Sequence, residues 1–115
     1  MKIALASAAA LAAALALAAP AQAQRTARCA VASSGSSWTG PCLFSAERGG
    51  SFSIRRRDGR AFPGGATSIS VAIAGSEADV RGLTRDGINS RWGMASRDRR
   101  DRACWRGSDF RVCAY

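Results

Sequence analysis

Between Thr67 and Ala74, Ile69, Val71 and Ile73 alternate with the small or polar residues Ser68, Ser70 and Ala72. A period of two marks a strand with one buried face. Weaker versions of the pattern recur along the chain. Phe52 and Ile54 alternate with Ser51, Ser53 and Arg55 within Ser51–Arg57, Cys42 and Phe44 share one face of Pro41–Ala46, and Arg28–Ala32 makes a first strand. Glycine-marked turns separate these runs, and Asp58-Gly59 is a preferred dipeptide for a tight hairpin. Arg60–Ala66, with Pro63-Gly64-Gly65, reads as an irregular edge. The Ser/Gly-rich stretch Ser33–Ser37 reads as a loop that leaves Trp38 exposed beyond it.

The second half continues the alternation. Ser76 with Asp79 resembles a helix capping box, but Gly82 and the β-branched neighbours favour a hairpin, Ala78–Thr84 against Ile88–Arg97. Its three-residue loop, Arg85-Asp86-Gly87, places Arg81 opposite Arg91, with Asp79 diagonally near to relieve the like charges. Arg91 outward then sends Trp92 inward, together with Ile88 and Met94. The run from Arg97 to Arg102 carries only charged residues and reads as a solvated loop. Ala103–Arg106 and Asp109–Ala114 close the chain. A two-residue loop at Gly107-Ser108 would set Trp105 against Phe110 and Arg106 against Asp109, with Cys104 and Cys113 at diagonal positions on one face. The fold class expected is all-β: a small disulfide-stapled antiparallel meander, barrel or sandwich of seven to eight short strands.

The N-terminus differs in kind. Lys2, the apolar run Ile3–Ala19, Pro20 and Ala21-Gln22-Ala23 describe a secretory signal peptide cleaved after Ala23, leaving one domain over 24–115 with no further transmembrane segment. A short, alanine-rich leader points to a Gram-negative cell, hence a periplasmic or secreted protein. Four cysteines, all in the exported part, fit an oxidising compartment. Cys29–Cys42 and Cys104–Cys113 each close a short loop, which favours that pairing among the three available. Metal binding is not expected, because the chain has no CxxC and no histidine. No cofactor motif occurs.

The whole chain carries a net charge of +9, and loss of Lys2 leaves sixteen arginines, no lysine and a charge of +8. Such a surface attracts anionic partners, although coding bias is an alternative source of arginine. The absence of histidine removes the commonest general base and the Ser-His and Cys-His pairs. Asp98 and Asp101 form the closest carboxylate pair, and a carboxylate-dependent hydrolase would have to use them. Their arginine neighbours instead imply ion pairing. Trp105 is expected in the core with Phe110. An export signal and the lack of lysine argue against nucleic acid as a partner.

Val80-Arg81-Gly82-Leu83-Thr84, Gly87-Ile88-Asn89-Ser90-Arg91-Trp92-Gly93 and Ala103-Cys104-Trp105 with Cys113 resemble segments of small exported bacterial proteins of unknown function with two disulfides. The resemblance implies the periplasm and two bridges, and it supplies no site residues. The reading that results is a non-enzymatic envelope module binding an anionic envelope polymer or an acidic protein. Arg55, Arg57, Arg81 and Arg91 are its candidate anion-binding residues. A second reading is an inhibitor of an acidic hydrolase presenting the disulfide-closed segment Ala30–Pro41.

Overall fold

The computed structural model describes residues 24–115, so the expected leader over 1–23 lies outside the described residues. Eight antiparallel strands follow one another in chain order: β1 (Gln24–Ser33), β2 (Ser36–Ala46), β3 (Phe52–Arg56), β4 (Ala66–Ala74), β5 (Glu77–Thr84), β6 (Asn89–Arg97), β7 (Cys104–Arg106) and β8 (Phe110–Ala114). Each pairs with the next, and β1 pairs with β8, so the meander closes into a barrel. The capping-box segment at Ser76 is the β4–β5 turn and the start of β5, not a helix.

Alternation decides which side chains fill the interior. Val31, Ile54, Ile69, Val71, Val80 and Val112 are completely or almost completely buried, and Phe52, Phe62, Trp105 and Phe110 complete the core. Outward positions of β3, β4 and β5 carry Ser53, Arg55, Ser68, Ser70, Asp79 and Arg81. Apolar inside and polar outside is the reverse of a membrane-spanning barrel. An eight-stranded barrel has an interior narrow enough for side chains to fill, and these apolar side chains occupy it.

The β1–β2 hairpin turns tightly through Ser34 and Gly35, both at positive φ, and the strands pair from Ser33–Ser36 down to Gln24–Ser45. Trp38 therefore stands opposite Val31, in the inward register, and not in an exposed loop. Its ring meets Phe62 edge-on at 5.4 Å between centroids. Phe62 comes from the 57–65 segment, which is no strand but folds over this end of the barrel.

Arg56 holds that segment in place. It follows Phe52 and Ile54 in the inward register, its guanidinium lies 4.7 Å above the Trp38 ring, and only 14% of its side chain is exposed. It donates to Asp58 Oδ2 at 2.6 Å and to the Ala61 carbonyl at 3.1 Å. An arginine thus caps the hydrophobic interior and ties down the segment that closes it.

In β6 the expected parity breaks. Val80 pairs with Gly93, yet Arg81 pairs with Arg91, so Trp92 is the extra residue of a bulge. Gly93 sits at φ 127°, and the following alternation is reset. Trp92 still packs on the core, edge-on to Phe110 at 5.7 Å. Met94 is turned outward by the reset, and Ile88 stands at the rim where no strand covers it; they are 44% and 61% exposed. Gly82 makes room for Trp92, since a Cβ there would stand 2.7 Å from the indole Nε1 and 2.8 Å from Ala66 Cβ.

Both expected disulfides form. Cys29 and Cys42 bridge diagonally inside the barrel, each two residues from the other's cross-strand partner (Cys29 opposes Gly40, Ala27 opposes Cys42). The last hairpin is shifted by two residues from the expected register. Its turn is Ser108-Asp109, so Trp105 faces Val112 and Cys104 lies directly opposite Cys113. Phe110 still joins Trp105 in the core, but from a different rung. Two disulfides, with no described helix long and apolar enough to cross a membrane, fit an extracytoplasmic location.

Candidate anion-binding site

The four candidate arginines all point outward, on two parts of the barrel. Arg81 on β5 and Arg91 on β6 are direct cross-strand partners, as the three-residue loop requires. Asp79 stands between them: its Oδ2 lies 3.3 Å from Arg81 Nε and its Oδ1 3.4 Å from Arg91 Nε. Asp79 Oδ1 is shielded from solvent and accepts no well-aligned hydrogen bond in the protein. One carboxylate is shared by two guanidiniums, and one positive charge is left over.

Arg55 and Arg57 occupy the outer face around the end of β3, over a shallow depression with Leu43, Gly59 and Thr67. They are not in contact with Arg81 and Arg91. The intervening strand β4 presents Ser68 and Ser70, and two strand spacings amount to roughly 10 Å. Sequence spacing placed these four on outer faces but did not place them in one cluster.

A second cross-strand arginine pair escaped the sequence reading. Because the β7–β8 turn is Ser108-Asp109, Arg106 opposes Arg111 and not Asp109. Here too an aspartate separates like charges, and a second, Asp101, has its Oδ2 3.9 Å from Arg111 Nη2. Asp98 Oδ2 accepts from Arg106 Nη2 at 3.0 Å and from Arg111 Nε at 3.3 Å, while its Oδ1 accepts from the Arg100 backbone N–H at 2.9 Å. The signal was present in the sequence, since moving the turn by one residue brings the two arginines into register.

The charged run Asp98–Arg102 is accordingly a folded loop laid over the outer face of β7 and β8. Asp98 is only 8% exposed at its side chain. Asp101 accepts from the Ala103 N–H at 3.1 Å and, through Oδ2, from the Tyr115 hydroxyl at 2.6 Å. The Asp101 bond holds the Tyr115 phenol proton above its usual range. The loop and Tyr115 together cover the Cys104–Cys113 bridge, with the tyrosine hydroxyl 3.6 Å from Cys104 Sγ.

The electrostatics of Asp98 bear on the hydrolase reading. The Arg100 N–H, then the Arg106 guanidinium, hold its carboxyl down from 3.8 to about 2. A carboxylate held so low carries no proton to donate near neutral pH. Asp58 is also lowered, first by Arg56 and then by the Arg60 N–H.

An open depression of about 540 Å³ lies beside this loop, lined by Ser96, Arg97, Asp98, Arg99, Arg100, Arg106 and Gly107. Arg97 is laid over the Trp105 ring at 4.4 Å and donates to the Arg102 carbonyl at 2.6 Å. No group of three or more acidic or cysteine side chains suited to hold a metal occurs among the described residues. The arrangement suits recognition of oxyanions, which guanidinium groups grip through paired N–H donors. The Ala30–Pro41 segment, by contrast, is the paired β1–β2 hairpin with a two-residue turn and an inward Trp38. Searches against protein-family models, curated proteins and solved structures each returned no match.

Proposed function

We propose that this protein is a non-enzymatic periplasmic module that binds anionic components of the cell envelope through its outward arginines. The single observation that carries the reading is the repeated arrangement of two opposed arginines around one aspartate. Arg81 and Arg91 share Asp79, and Arg106 and Arg111 share Asp98. Like charges set opposite one another destabilise a sheet, and the single carboxylate between Arg81 and Arg91 leaves that pair one positive charge in surplus, whereas Arg111 also has Asp101 Oδ2 at 3.9 Å. An incoming phosphate, sulfate or carboxylate supplies the missing negative charge. The leader-like N-terminus and the two bridges support the periplasm as the place of action, and the resemblance to small exported bacterial proteins agrees with it.

The test is titration of the oxidised domain with heparin and with lipopolysaccharide at increasing salt. Binding that weakens steeply as salt rises is expected, because screening shortens the reach of exposed charges. Binding indifferent to ionic strength, or no binding to either polymer, overturns the reading.

A further inference from the structure

We propose that the depression lined by Arg97, Arg99, Arg100 and Arg106 is a binding site for a ligand carrying two or more linked phosphate groups. The proposal rests on the anion-binding reading and specifies its location and ligand class. Four guanidiniums line this depression against a single carboxylate, Asp98. Both oxygens of that carboxylate are already engaged, by the Arg100 N–H and by Arg106 and Arg111. The lining therefore carries a surplus of three positive charges, more than one inorganic phosphate neutralises.

Two of the four guanidiniums are held in place before any ligand arrives. Arg97 is fixed by the Trp105 ring and the Arg102 carbonyl, and Arg106 by Asp98. Holding a long side chain in its binding orientation removes part of the ordering cost of association. Arg99 and Arg100 are exposed, and neither forms an ion pair among the described residues. Their side chains are available to close on the ligand, since Arg100 holds the loop only through its backbone N–H, which donates to Asp98 Oδ1. A volume of about 540 Å³ also falls within the size range of small-ligand sites, roughly 300–1,000 Å³. Because the depression is open, charge and paired hydrogen bonds do the holding, not apolar burial.

Linked phosphates reach such a site either as a free oligophosphate or as a phospholipid headgroup with two phosphates. The experiment uses tripolyphosphate in calorimetry, and vesicles of phosphatidylcholine with and without cardiolipin in a sedimentation assay. The variants are the double substitution Arg99→Ala with Arg100→Ala, the single substitution Arg99→Glu, and, as the comparison, Arg48→Ala with Arg85→Ala, two exposed arginines away from the depression. The expected result is tripolyphosphate affinity reduced at least tenfold by either loop variant and less than threefold by the Arg48/Arg85 variant, with inorganic phosphate binding more weakly than tripolyphosphate. Retention on cardiolipin vesicles that the loop variants abolish assigns the headgroup as a source; tripolyphosphate binding without vesicle retention assigns the free oligophosphate. Equal loss in the loop and Arg48/Arg85 variants overturns the site, as does wild-type protein that binds heparin but not tripolyphosphate. Failure of wild-type protein to bind either heparin or lipopolysaccharide overturns the broader reading instead.

Discussion

Asp98 accepts a hydrogen bond from Arg106 Nη2 at 3.0 Å, and through it the charged loop after β6 is fastened to the outer face of β7. The same carboxylate meets Arg111 and the Arg100 N–H, so one buried acid organises three arginine positions. This contact contributes to the acid stability of the domain. The Asp98 carboxyl is held at about 2 in the folded state against 3.8 as its ordinary value. A lowered folded value means the stabilisation is complete above roughly pH 4 and is lost as pH falls toward 2. Chemical unfolding followed from pH 7 to pH 2 is expected to show the midpoint dropping mainly between pH 4 and pH 2. Asp98→Asn is expected to be less stable at pH 7 and to lose less over that window. Parallel pH curves for the two proteins would contradict this.

Asp79 separates Arg81 from Arg91, so removing its charge should act on stability and on binding in opposite directions. Exposed ion pairs are worth about 0–1 kcal/mol, and Asp79→Asn is expected to lower stability by no more than about that. Heparin affinity is expected to rise by two- to fivefold, since the two guanidiniums lose their internal competitor. Thermal unfolding and calorimetry on the same preparation check both halves. An affinity that falls would show Asp79 to be positioning the arginines and not competing for them.

Arg56→Ala is expected to cost roughly 2 kcal/mol, combining lost stacking on Trp38 with lost hydrogen bonding to the segment bearing Phe62. Arg56→Lys keeps the charge but not the planar fork and is expected to recover less than half. The Trp38 contact gives a spectroscopic check: its fluorescence should shift to longer wavelength in Arg56→Ala as the barrel end opens. Wild-type stability in both variants would mean that Phe62 alone closes this end.

The two bridges should differ in how they fail. By loop entropy each contributes on the order of 2–3 kcal/mol, for sequence separations of 13 and 9. Cys29→Ala with Cys42→Ala disturbs the packed interior as well, so it is expected to be the more destabilised pair. Cys104→Ala with Cys113→Ala lies outside that core, under the 98–103 loop and Tyr115, and should leave the near-ultraviolet tryptophan signal close to wild type. Mild reduction followed by mass spectrometry and thermal melting checks the order.

The strands were legible because hydrophobic alternation needs only local information. The parity of Ile69, Val71 and Ile73, the spacing of Arg85-Asp86-Gly87 and the placement of Arg81 against Arg91 all follow from counting residues. What defeated counting was any residue that changes the count. The bulge at Trp92, made tolerable by Gly93, turned Met94 outward, and a turn at Ser108-Asp109 moved the last pairing by two positions. Trp38 looked exposed because its neighbours are Ser and Gly, yet its partner Phe62 is 24 residues away in a segment with no alternation at all. Arg56 was overlooked for a related reason: an inward arginine contradicts hydrophobicity and is explained only by the ring and carboxylate it meets. The second arginine pair was hidden by the same register shift that hid the direct opposition of Cys104 and Cys113.

The most direct test of the central claim watches the guanidinium groups themselves. In the oxidised domain, arginine Nε–Hε resonances are followed by two-dimensional NMR during heparin titration at low salt. Shifts are expected to concentrate at Arg81, Arg91, Arg99, Arg100 and Arg106, with the enclosed Arg56 unmoved and all shifts reversed by added salt. Unchanged spectra, or shifts spread evenly over every arginine including Arg56, would contradict that claim.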